Sequence, residues 1–396
     1  MQRCNAPSRG EGRARPGAAV PRCRVMIRTK DKTMKQDPIA QIAQIRQSHP
    51  NNLMARHFDM AYFRALEPAL QQRLLKIIAS GIANPDSSMG AYAMDAQDYA
   101  DFAPFFDALI HDFHGIPDDT PIAQPHDWNT TQAACDLGGI DPALKDVSMR
   151  VRVARNAASF PLPGAMNRDQ RVAFESLAAD AFAKLAENPA FGGEYLSITP
   201  GSPHEISADE YDRRVAAHQM FKDMSNDRFL NVAGISGDWP YGRGMYVSED
   251  QDFLVWVGEE DHLRIMAMQK GGNLNALFDR LHAGLTVLEG LLPEFAMSGK
   301  YGAIASCPTN LGAGMRASLH MKLPKVTQGG TDLSAITDAA KGLGLAVRGA
   351  GGEHSDAGAD GLVDISPSAR LGVSEMQIMR RLYDGAAKLW AMEKAA

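Results

Sequence analysis

Three strand-like stretches of this sequence place arginine at positions that share one face of a strand. They span residues 149–153, 262–265 and 315–320. Side chains alternate between the two faces of a strand, so Arg150 and Arg152 point to one side while Met149, Val151 and Val153 fill the other. The pattern predicts one sheet with a cationic face, and a cluster of guanidinium groups suits a polyphosphate.

Acidic residues accompany these arginines. Glu259 and Glu260 come just ahead of Arg264, and Glu353 follows Arg348. Carboxylates beside a phosphate site suit a cationic acceptor, so the pattern points to phosphoryl transfer onto a basic nucleophile. Because neighbouring strand residues point to opposite faces, Glu260 is predicted to face the site and Glu259 to be structural.

The composition is that of an ordinary soluble globular protein, with 45% hydrophobic and 22% charged residues among 396. A net charge of −6 argues against a nucleic-acid partner. No apolar run approaches the roughly 20 residues of a membrane span, which argues against a membrane protein. Four scattered cysteines are too few for a disulfide framework or a zinc site, which favours a reducing, cytoplasmic location.

The first 35 residues differ from the rest of the chain. They are rich in Arg, Lys, Gly and Pro and nearly free of acidic residues. We expect residues 1–35 to form a disordered basic tail. A transit peptide is the alternative, and the segment also reads as sequence upstream of a true start at Met26 or Met34.

Beyond the tail we predict an α+β fold in which a small all-helical N-terminal domain precedes a larger domain. Helical patterning covers residues 36–125 and is broken by a turn-rich loop at 84–90. Residues 126–144 read as a linker. Residues 145–396 alternate strand and helix patterns, which predicts an antiparallel β-sheet flanked by helices.

Familiar nucleotide-binding motifs are missing from the sequence. It contains no G-x-x-x-x-G-K-[ST] loop and no protein-kinase set of H-R-D and D-F-G. ATP, if bound, would therefore have to be held by the arginines. No cluster of ligands for a dedicated metal is evident, so magnesium is expected to arrive with the nucleotide.

Four segments resemble the ATP:guanidino phosphotransferase family, which includes creatine kinase and arginine kinase. They are R-V-R-x-x-R at 150–155, D-W-P-Y-G-R-G at 238–244, F-L-V-W-V-G-E-E-D-H-L-R at 253–264 and C-P-T-N-L-G at 307–312. The match runs in order from about residue 40 to the C-terminus. The resemblance implies a kinase that uses MgATP, with Mg²⁺ carried by ATP or ADP.

The resemblance also assigns site residues. By resemblance, the nucleotide is held by Ser148, Arg150, Arg152, His218, Arg243, Arg264, Arg316, His320, Arg348 and Glu353. The guanidino substrate is bound by Ser88, Met89, Gly90, Tyr92, Glu260, Cys307 and Glu353. Within these sets, the catalytic residues are Glu260, Glu353, Cys307, Arg264 and Arg316.

Two loops favour the arginine-kinase branch of the family. The segment 348–354 resembles the arginine-kinase loop with a catalytic glutamate, and 87–92 resembles its short specificity loop, whose backbone and tyrosine receive the α-carboxylate and α-amino groups. Ser88 and Met89 depart from the small residues usual there, and Gly351 replaces a commonly basic residue. The first departure bears on the acceptor and the second on phosphate contacts.

The implied reaction is reversible transfer of the γ-phosphoryl group of MgATP to L-arginine, giving phosphoarginine and ADP. Taurocyamine or creatine as acceptor is an alternative. A non-catalytic nucleotide-binding regulatory protein on the same scaffold is another. A monomer is favoured over a homodimer by the arginine-kinase resemblance.

Three further roles follow from the resemblance, each with a structural alternative. Cys307 is expected to be a thiolate that pairs with the acceptor cation, or else an inert buried cysteine. Asp86 and Arg228 match a family pair that links the domains, or else form a surface salt bridge. His218 is a nucleotide contact or a half-buried helix residue that packs.

Overall fold

An eight-stranded antiparallel sheet lies at the centre of the larger part of the molecule. The structure is a computed structural model that describes residues 37–132, 134–349 and 358–396. The strands are β1 Val147–Arg155, β2 Gly193–Ser197, β3 Gly244–Ser248, β4 Phe253–Val257, β5 Leu263–Gly271, β6 Met297–Ser298, β7 Gly302–Ala303, β8 Met315–Lys322, β9 Leu345–Gly349 and β10 Leu362–Pro367. The sheet order is β2-β3-β4-β5-β1-β8-β10-β9, and β6 with β7 forms a separate two-stranded ribbon.

Helices precede the sheet and also cover it. In the described ranges they are α1 Pro38–Ser48, α2 Leu53–His57, α3 Met60–Ala65, α4 Pro68–Ile77, α5 Ala79–Ala83, α6 Asp98–Asp101, α7 Ala103–His114, α8 Arg168–Leu185, α9 Ala208–Ala216, α10 Arg228–Val232, α11 Leu274–Leu291, α12 Ser334–Gly342 and α13 Glu375–Ala395. None of these helices combines the length and the apolar character that crossing a membrane requires. The predicted fold class, a helical N-terminal region followed by an antiparallel sheet flanked by helices, is confirmed.

One face of the sheet carries the main hydrophobic core. Met149, Val151 and Val153 on β1 are at most 1% exposed and pack in the same cluster as apolar residues of α8, α11 and α13. This is the alternation expected from the sequence. Burying an aliphatic side chain stabilises the fold by about 1.5–3 kcal/mol each, so this face fixes which residues of β1 point the other way.

Capping boxes define where two of the long core helices begin. The Asn167 side chain accepts from the Gln170 backbone at the start of α8, and the Gln170 side chain bonds back to the Asn167 backbone. Ser374 and Gln377 repeat the pattern at the start of α13. In the sequence, Asn167 with Gln170 and Ser374 with Gln377 match the pattern that predicts a helix start, and the structure confirms both predictions. Each cap satisfies helix N–H groups that lack an intrahelical partner.

The opposite face of the sheet is divided between two environments. Around β2 to β5 it carries a smaller apolar cluster that includes Met220, Phe221 and Met245, with Trp239 and Trp256 packed against it. Around β1 and β8 it carries the arginines. The apolar residues around β2 to β5 cover one end of this face. The cationic part around β1 and β8 is therefore the surface available to a ligand.

The N-terminal helices share their core with a segment of the larger part. Their buried cluster includes Phe106 of α7 and Phe102, which links α6 to α7, together with Tyr301, Ile304 and Leu311. Tyr99 adds a buried hydrogen bond from its hydroxyl to the Ala305 carbonyl at 2.8 Å. The helical layer is therefore packed directly against the segment that leads into Cys307.

Residues 126–144, predicted to be a linker, pack against the larger part of the molecule. Leu137 and Leu144 are at most 2% exposed and belong to the core of the sheet. The Asp127 N–H donates to Glu375 at 2.9 Å, and the Leu137 N–H donates to the Gly272 carbonyl at 2.8 Å. The segment is thus a strap held by α13 and by the end of β5.

Gly312 occupies a position that only glycine fits. Its φ is +94°, and a Cβ there would lie 2.2 Å from the Arg370 carbonyl oxygen and 2.6 Å from the Leu371 Cα. The neighbouring Ala313 N–H donates to the same Arg370 carbonyl at 2.9 Å. The glycine therefore allows two loops to approach each other, from the ends of β7 and β10.

Gly312→Ala should lower the free energy of unfolding by more than Gly115→Ala does. Gly115 also has a positive φ, +65°, but a Cβ there meets nothing within 4 Å. The control therefore carries only the backbone penalty of about 1–2 kcal/mol, and Gly312→Ala adds a clash worth about 1–3 kcal/mol. Urea denaturation of both variants measures the difference, and equal losses would show that the loop contact at Gly312 adjusts freely.

Candidate active site

The strand register brings the predicted arginines together. In the pairing of β1 with β8, Arg152 lies opposite Arg316. In the pairing of β1 with β5, Arg264 lies opposite Ala154, which is the next residue after Arg152 on the same face of β1. Arg150 is two residues from Arg152 on that face. The prediction that the three arginine-bearing stretches share one face of one sheet is confirmed.

Crowding of like charges perturbs these guanidinium groups. Burial lowers the pKa of Arg152 well below its usual value, and the neighbouring cations of Arg264 and Arg150 lower it further. Burial and the Arg348 cation lower the pKa of Arg316 to about 10. The neighbouring guanidinium charges repel one another, and this repulsion is unfavourable while no ligand is bound. A bound polyanion would offset the repulsion and would therefore bind strongly.

Arg264 joins the cationic cluster to two carboxylates. Its Nη1 lies 3.0 Å from Glu259 Oε2, and its Nη2 lies 3.4 Å from Glu260 Oε2. Burial lowers the pKa of Arg264, but the Glu259 and Glu260 carboxylates outweigh that effect, so its pKa lies above the usual value. The expectation that Glu259 points away is wrong, because residues 258–262 form a turn between β4 and β5 and strand alternation does not apply there.

Glu260 lies at the edge of the arginine cluster. Its Oε2 also accepts a hydrogen bond from Asn310 Nδ2 at 3.0 Å. Burial raises the pKa of Glu260 to about 7, with Arg264 opposing the rise and Glu259 adding to it. A cation bound beside this buried carboxylate would stabilise its ionised form.

Cys307 is buried next to Glu260. Burial and then the Glu260 carboxylate raise the pKa of Cys307 to about 12, and the thiol lies 3.1 Å from the Thr309 hydroxyl. Burial therefore favours the thiol form of Cys307 in the structure without a bound acceptor, and the thiolate stays a prediction for the complex. A guanidinium between Glu260 and Cys307 would supply a cation that favours the thiolate.

Buried polar groups hold the turn that carries Glu260. Asn156 Nδ2 donates to Asp261 Oδ1 at 2.7 Å, and the same oxygen accepts from the Ser306 N–H at 2.8 Å. His262 accepts from the Ala157 N–H at 3.0 Å through Nδ1, and its Nε2 lies 2.9 Å from the Pro161 carbonyl. Burial lowers the pKa of His262 to about 4, so the ring is neutral and donates through Nε2.

The predicted specificity loop is tied to both parts of the molecule. The Ser88 and Met89 carbonyls accept from the backbone of α2 at 3.0 and 3.1 Å. The Ala93 N–H donates to the Ser306 carbonyl at 2.8 Å, which brings Tyr92 to Cys307. Burial raises the pKa of Tyr92, and the charges of Cys307 and Glu260 add to the rise.

The loop presents backbone more than side chains. Met89 is only 4% exposed and packs in the core of the N-terminal helices, whereas Ser88 is exposed. Gly90 has a φ of +75°, and a Cβ there would lie 2.9 Å from Met54 Cβ. Within the described residues, no acceptor bonds the N–H groups of Ser88 and Met89.

The predicted nucleotide contacts continue along the cationic face. Ser148 lies opposite His320 in the register of β1 with β8, and Asp364 on β10 lies opposite both His320 and Arg348. Burial lowers the pKa of His320, and Asp364 opposes the shift. Ser148, His320 and Arg348, which were predicted to contact the nucleotide, thus lie in one row across the sheet.

His218 and Arg243 have different settings from those expected. His218 is exposed, has a φ of +58° and follows the end of α9, so it is neither helical nor half-buried. Its charge acts on His320, which puts it beside the same face. Arg243 is 0% exposed and donates to the carbonyls of Tyr241, Ile235 and Gly237 at 2.7, 2.8 and 3.0 Å. Arg243 therefore holds a loop in this structure, with its side chain fully buried.

Arg370 is a residue that strand patterns did not reveal. It lines one small pocket together with Arg152, Arg264, Arg316 and Asn310. Its Nη1 donates to the Thr309 carbonyl and to Asn310 Oδ1, both at 2.8 Å. Arg370 follows β10 in a loop, where side-chain direction has no fixed period, so no pattern in the sequence indicated it.

Glu353 and Gly351, both named in the sequence predictions, lie outside the described residues. Asp86 and Arg228 do form an ion pair, and the Asn84 side chain reinforces it by donating to the Arg228 carbonyl at 3.3 Å. The described residues contain no group of His, Cys, Asp and Glu side chains arranged to hold a metal ion.

Both the N-terminal and the C-terminal part of the chain match models of one protein family. The family model described as "ATP:guanido phosphotransferase, C-terminal catalytic domain" matches residues 173–396, and the model of the corresponding N-terminal domain matches residues 48–111. Arginine kinase of Limulus polyphemus is 35% identical over 349 residues, which cover 87% of this chain and 93% of that protein. Arginine kinase of Artemia franciscana is 37% identical over 337 residues, covering 84% of this chain and 89% of that protein.

Solved structures of related kinases have the same fold. The substrate-free duplicated taurocyamine kinase from Schistosoma mansoni gives a TM-score of 0.77 at 28% identity and covers 90% of this chain. This chain spans 49% of that duplicated protein. A lombricine kinase gives a TM-score of 0.76 at 29% identity, with 88% of this chain and 93% of that chain covered. With the arginine cluster and its adjoining carboxylates, these matches show that the chain belongs to the ATP:guanido phosphotransferase family of phosphagen kinases.

Proposed function

We propose that the protein reversibly transfers the γ-phosphoryl group of MgATP to the guanidinium of L-arginine. The observation that carries the proposal is the contact between Arg264, in the cationic cluster, and Glu260, which lies beside Cys307. An anion site and a cation site thus meet at one point. In-line transfer between two bound substrates requires this arrangement.

The proposed phosphate site is the cationic face of the sheet. Arg150, Arg152, Arg264, Arg316 and Arg348 offer fork-shaped donors to the phosphate oxygens and neutralise the charge that spreads over the transferred group. Ser148, His218 and His320 lie toward the adenosine end. Magnesium is held by phosphate oxygens and water, and the protein supplies charge and position.

The proposed acceptor site lies between Glu260 and the specificity loop. A guanidinium there pairs with the Glu260 carboxylate, and its positive charge lowers the pKa of the Cys307 thiol toward ionisation. Glu353 is proposed as the second carboxylate of the clamp. The Asp86–Arg228 pair is proposed to keep the loop closed over the substrates, which excludes water from the phosphoryl group.

Arginine is the acceptor that the loop favours. The N–H groups of Ser88 and Met89 are available for an α-carboxylate, and Tyr92 lies beside Cys307 and Glu260. Because the Met89 side chain is buried, its departure from the family pattern does not narrow the acceptor site. Taurocyamine or lombricine as acceptor is the second candidate, since solved kinases for both share this fold at 28–29% identity.

The proposal includes a monomer in the cytoplasm. The two cysteines among the described residues, Cys135 and Cys307, are free, as expected in a reducing compartment. The monomer is proposed on the resemblance of the sequence to arginine kinases.

L-Arginine should be phosphorylated at least about tenfold more efficiently than creatine, taurocyamine or lombricine, because the short loop 87–92 resembles the arginine-kinase loop whose backbone and tyrosine receive the α-carboxylate and α-amino groups. A coupled ADP-release assay with MgATP and this panel measures kcat/KM for each acceptor. A higher value for taurocyamine or lombricine would reassign the acceptor, and no transfer to any guanidino compound would refute the proposed function.

Glu260→Gln should separate the acceptor site from the nucleotide site. The amide keeps the size of the side chain but loses the charge that pairs with a guanidinium, so turnover should fall on the order of 10²-fold while MgADP affinity changes less than about threefold. Arg152→Gln should weaken MgADP binding and turnover together. Arg152 is the cleaner comparison because Arg264 also holds Glu259 and Glu260.

Calorimetric titration with MgADP and steady-state rates with arginine give the two quantities for each variant. Equal loss of nucleotide affinity in Glu260→Gln and Arg152→Gln would remove the distinction between the two sites.

The acceptor kcat/KM should fall as the pH drops through about 7. Only the ionised Glu260 pairs with a guanidinium, and in the free enzyme its pKa is raised to about 7, so the carboxylate is protonated below that pH. Cys307, with a pKa of about 12, should add no further step near neutrality. Initial rates between pH 5.5 and 9 test this, with Glu260→Gln as the control that should lack the step. An acid limb of the same position in Glu260→Gln would assign it to another group.

A further inference from the structure

A cavity of about 360 Å³ lies beside α8, away from the arginine cluster. This α8 cavity is bounded by one face of α8, by the end of β2 with the loop 199–204, and by Tyr241. Tyr195 on β2 belongs to the core that α8 covers, whereas the arginines occupy the opposite face of the sheet. β2 is an edge strand, four steps from β1 in the sheet order, or about 19 Å at the usual strand spacing. The α8 cavity is therefore separate from the candidate active site, and its volume is that of a small-molecule site.

The charges on the α8 wall of the cavity are separated along the helix. Residues at helical spacing line this wall, and they include Arg168, Val172, Glu175, Ser176 and Asp180. The cation lies at the N-terminal end of α8, and the two carboxylates lie further along. Helix rise places Arg168 about 10 Å from Glu175 along the axis and about 18 Å from Asp180. The wall therefore suits a ligand with an anionic group at one end and a cationic group at the other.

Arg168 is held in place with its hydrogen-bond donors unused. Its guanidinium lies over the Tyr241 ring, with Cζ 3.5 Å from the ring centroid. Stacking engages the flat face of the guanidinium and leaves its N–H edges free, and a carboxylate accepts from those edges in pairs. In the described ranges no ion pair joins Arg168 to another residue. A carboxylate in the α8 cavity would supply the missing partner.

Glu175 is a buried carboxylate at the floor of the cavity. It is 5% exposed and accepts from the hydroxyls of Tyr195, Ser197 and Thr199 at 3.0, 2.6 and 2.6 Å. Two carboxylate oxygens accept about four hydrogen bonds, so three hydroxyls leave room for one more donor. Glu175 forms no ion pair within the described residues, and Arg243, which its charge reaches, is committed to three backbone carbonyls. A cation in the cavity would offset a buried charge that hydroxyls satisfy but do not neutralise.

The space between the two charged ends is lined by apolar groups. Val172 and Ala179 contribute them from α8, and Pro200 and Pro203 contribute them from the loop. Val172 leaves 37% of its surface exposed, which is unusual for a large aliphatic residue of a core helix. An aliphatic chain bound here would be removed from water together with these side chains.

We propose that the α8 cavity binds an amino acid with a cationic side chain. Its α-carboxylate pairs with Arg168, its aliphatic chain packs on the apolar wall, and its terminal cation pairs with Glu175. Asp180 adds negative charge at the same end. The separation of about 10 Å along the helix suits a lysine or arginine side chain with a hydrogen bond at each end. This second ligand site does not depend on the identity of the phosphoryl acceptor.

Three small probes test the two charged ends of the site. L-Lysine carries both groups and no guanidinium, L-norleucine lacks the terminal cation, and cadaverine lacks the carboxylate. NMR titration of the full chain should give a Kd below about 10 mM for L-lysine. L-Norleucine and cadaverine should each bind at least about tenfold more weakly, because each loses one charge-assisted contact.

Variants on α8 test where the probe binds. Ser176 is exposed and lines the cavity, so Ser176→Trp should fill the mouth and abolish L-lysine binding. Ala173→Trp is the matched control, because Ala173 is exposed on the same helix and does not line the cavity, and it should bind like the wild type. Arg168→Gln should weaken L-lysine about tenfold but change cadaverine less than about twofold, since cadaverine has no carboxylate. Thermal midpoints and rates with arginine check that each variant is folded.

Glu260→Gln distinguishes the α8 cavity from the proposed acceptor site. L-Lysine binding that persists in Ser176→Trp and disappears in Glu260→Gln would place the probe in the acceptor site and overturn the inference. A Kd for L-lysine above about 10 mM, or equal affinity for the three probes, would overturn it as well. None of these results would alter the proposed function, which is tested by phosphoryl transfer to arginine.

Discussion

Repulsion among guanidinium groups on one face of the sheet is the constraint around which the site is built. Arg150, Arg152 and Arg316 lie within two strands, and burial of the opposite face prevents β1 from turning them away from one another. Carboxylates are placed where they offset part of this charge, with Glu260 on one side and Asp364 on the other. The site is therefore organised before any ligand binds, and little reorganisation is needed when charge develops during transfer.

The proposed phosphate site and the proposed acceptor site share side chains where they meet. Arg264 contacts the carboxylates while lining the anion pocket, and Asn310 bonds to Glu260 and to Arg370. A buried hydrogen bond from Asn156 to Asp261 supports the turn that carries Glu260. If Glu260 binds the guanidinium as proposed, a carboxylate supported in this way would lose little conformational freedom on binding, which would leave more of the binding energy for alignment.

The sequence was most informative where a period governs side-chain direction. Strand alternation predicted the shared face of Arg150, Arg152 and Arg316, and capping residues predicted where α8 and α13 begin. The same reasoning failed for Glu259, because a turn has no such period. Arg370 was missed for that reason too.

Electrostatic state was harder to predict than position. Cys307 was expected to be ionised, but its protonation depends on how completely neighbouring atoms exclude water and on whether a cation is bound, and neither is written in a motif. Arg243 shows the same limit, since only the fold reveals that three carbonyls surround its guanidinium. Residue identity indicates which groups are available for chemistry, and packing decides what each group does.

The shared core of the N-terminal helices has a consequence for cooperativity. Phe102 and Phe106 pack with Ile304 and Leu311 in one apolar cluster, and Tyr99 is bonded to Ala305. Loosening the helices would expose the segment on either side of Cys307 and uncouple it from the turn that holds Glu260. The helical layer and the catalytic centre are thus one folding unit at this boundary, and local unfolding of the first dismantles the second.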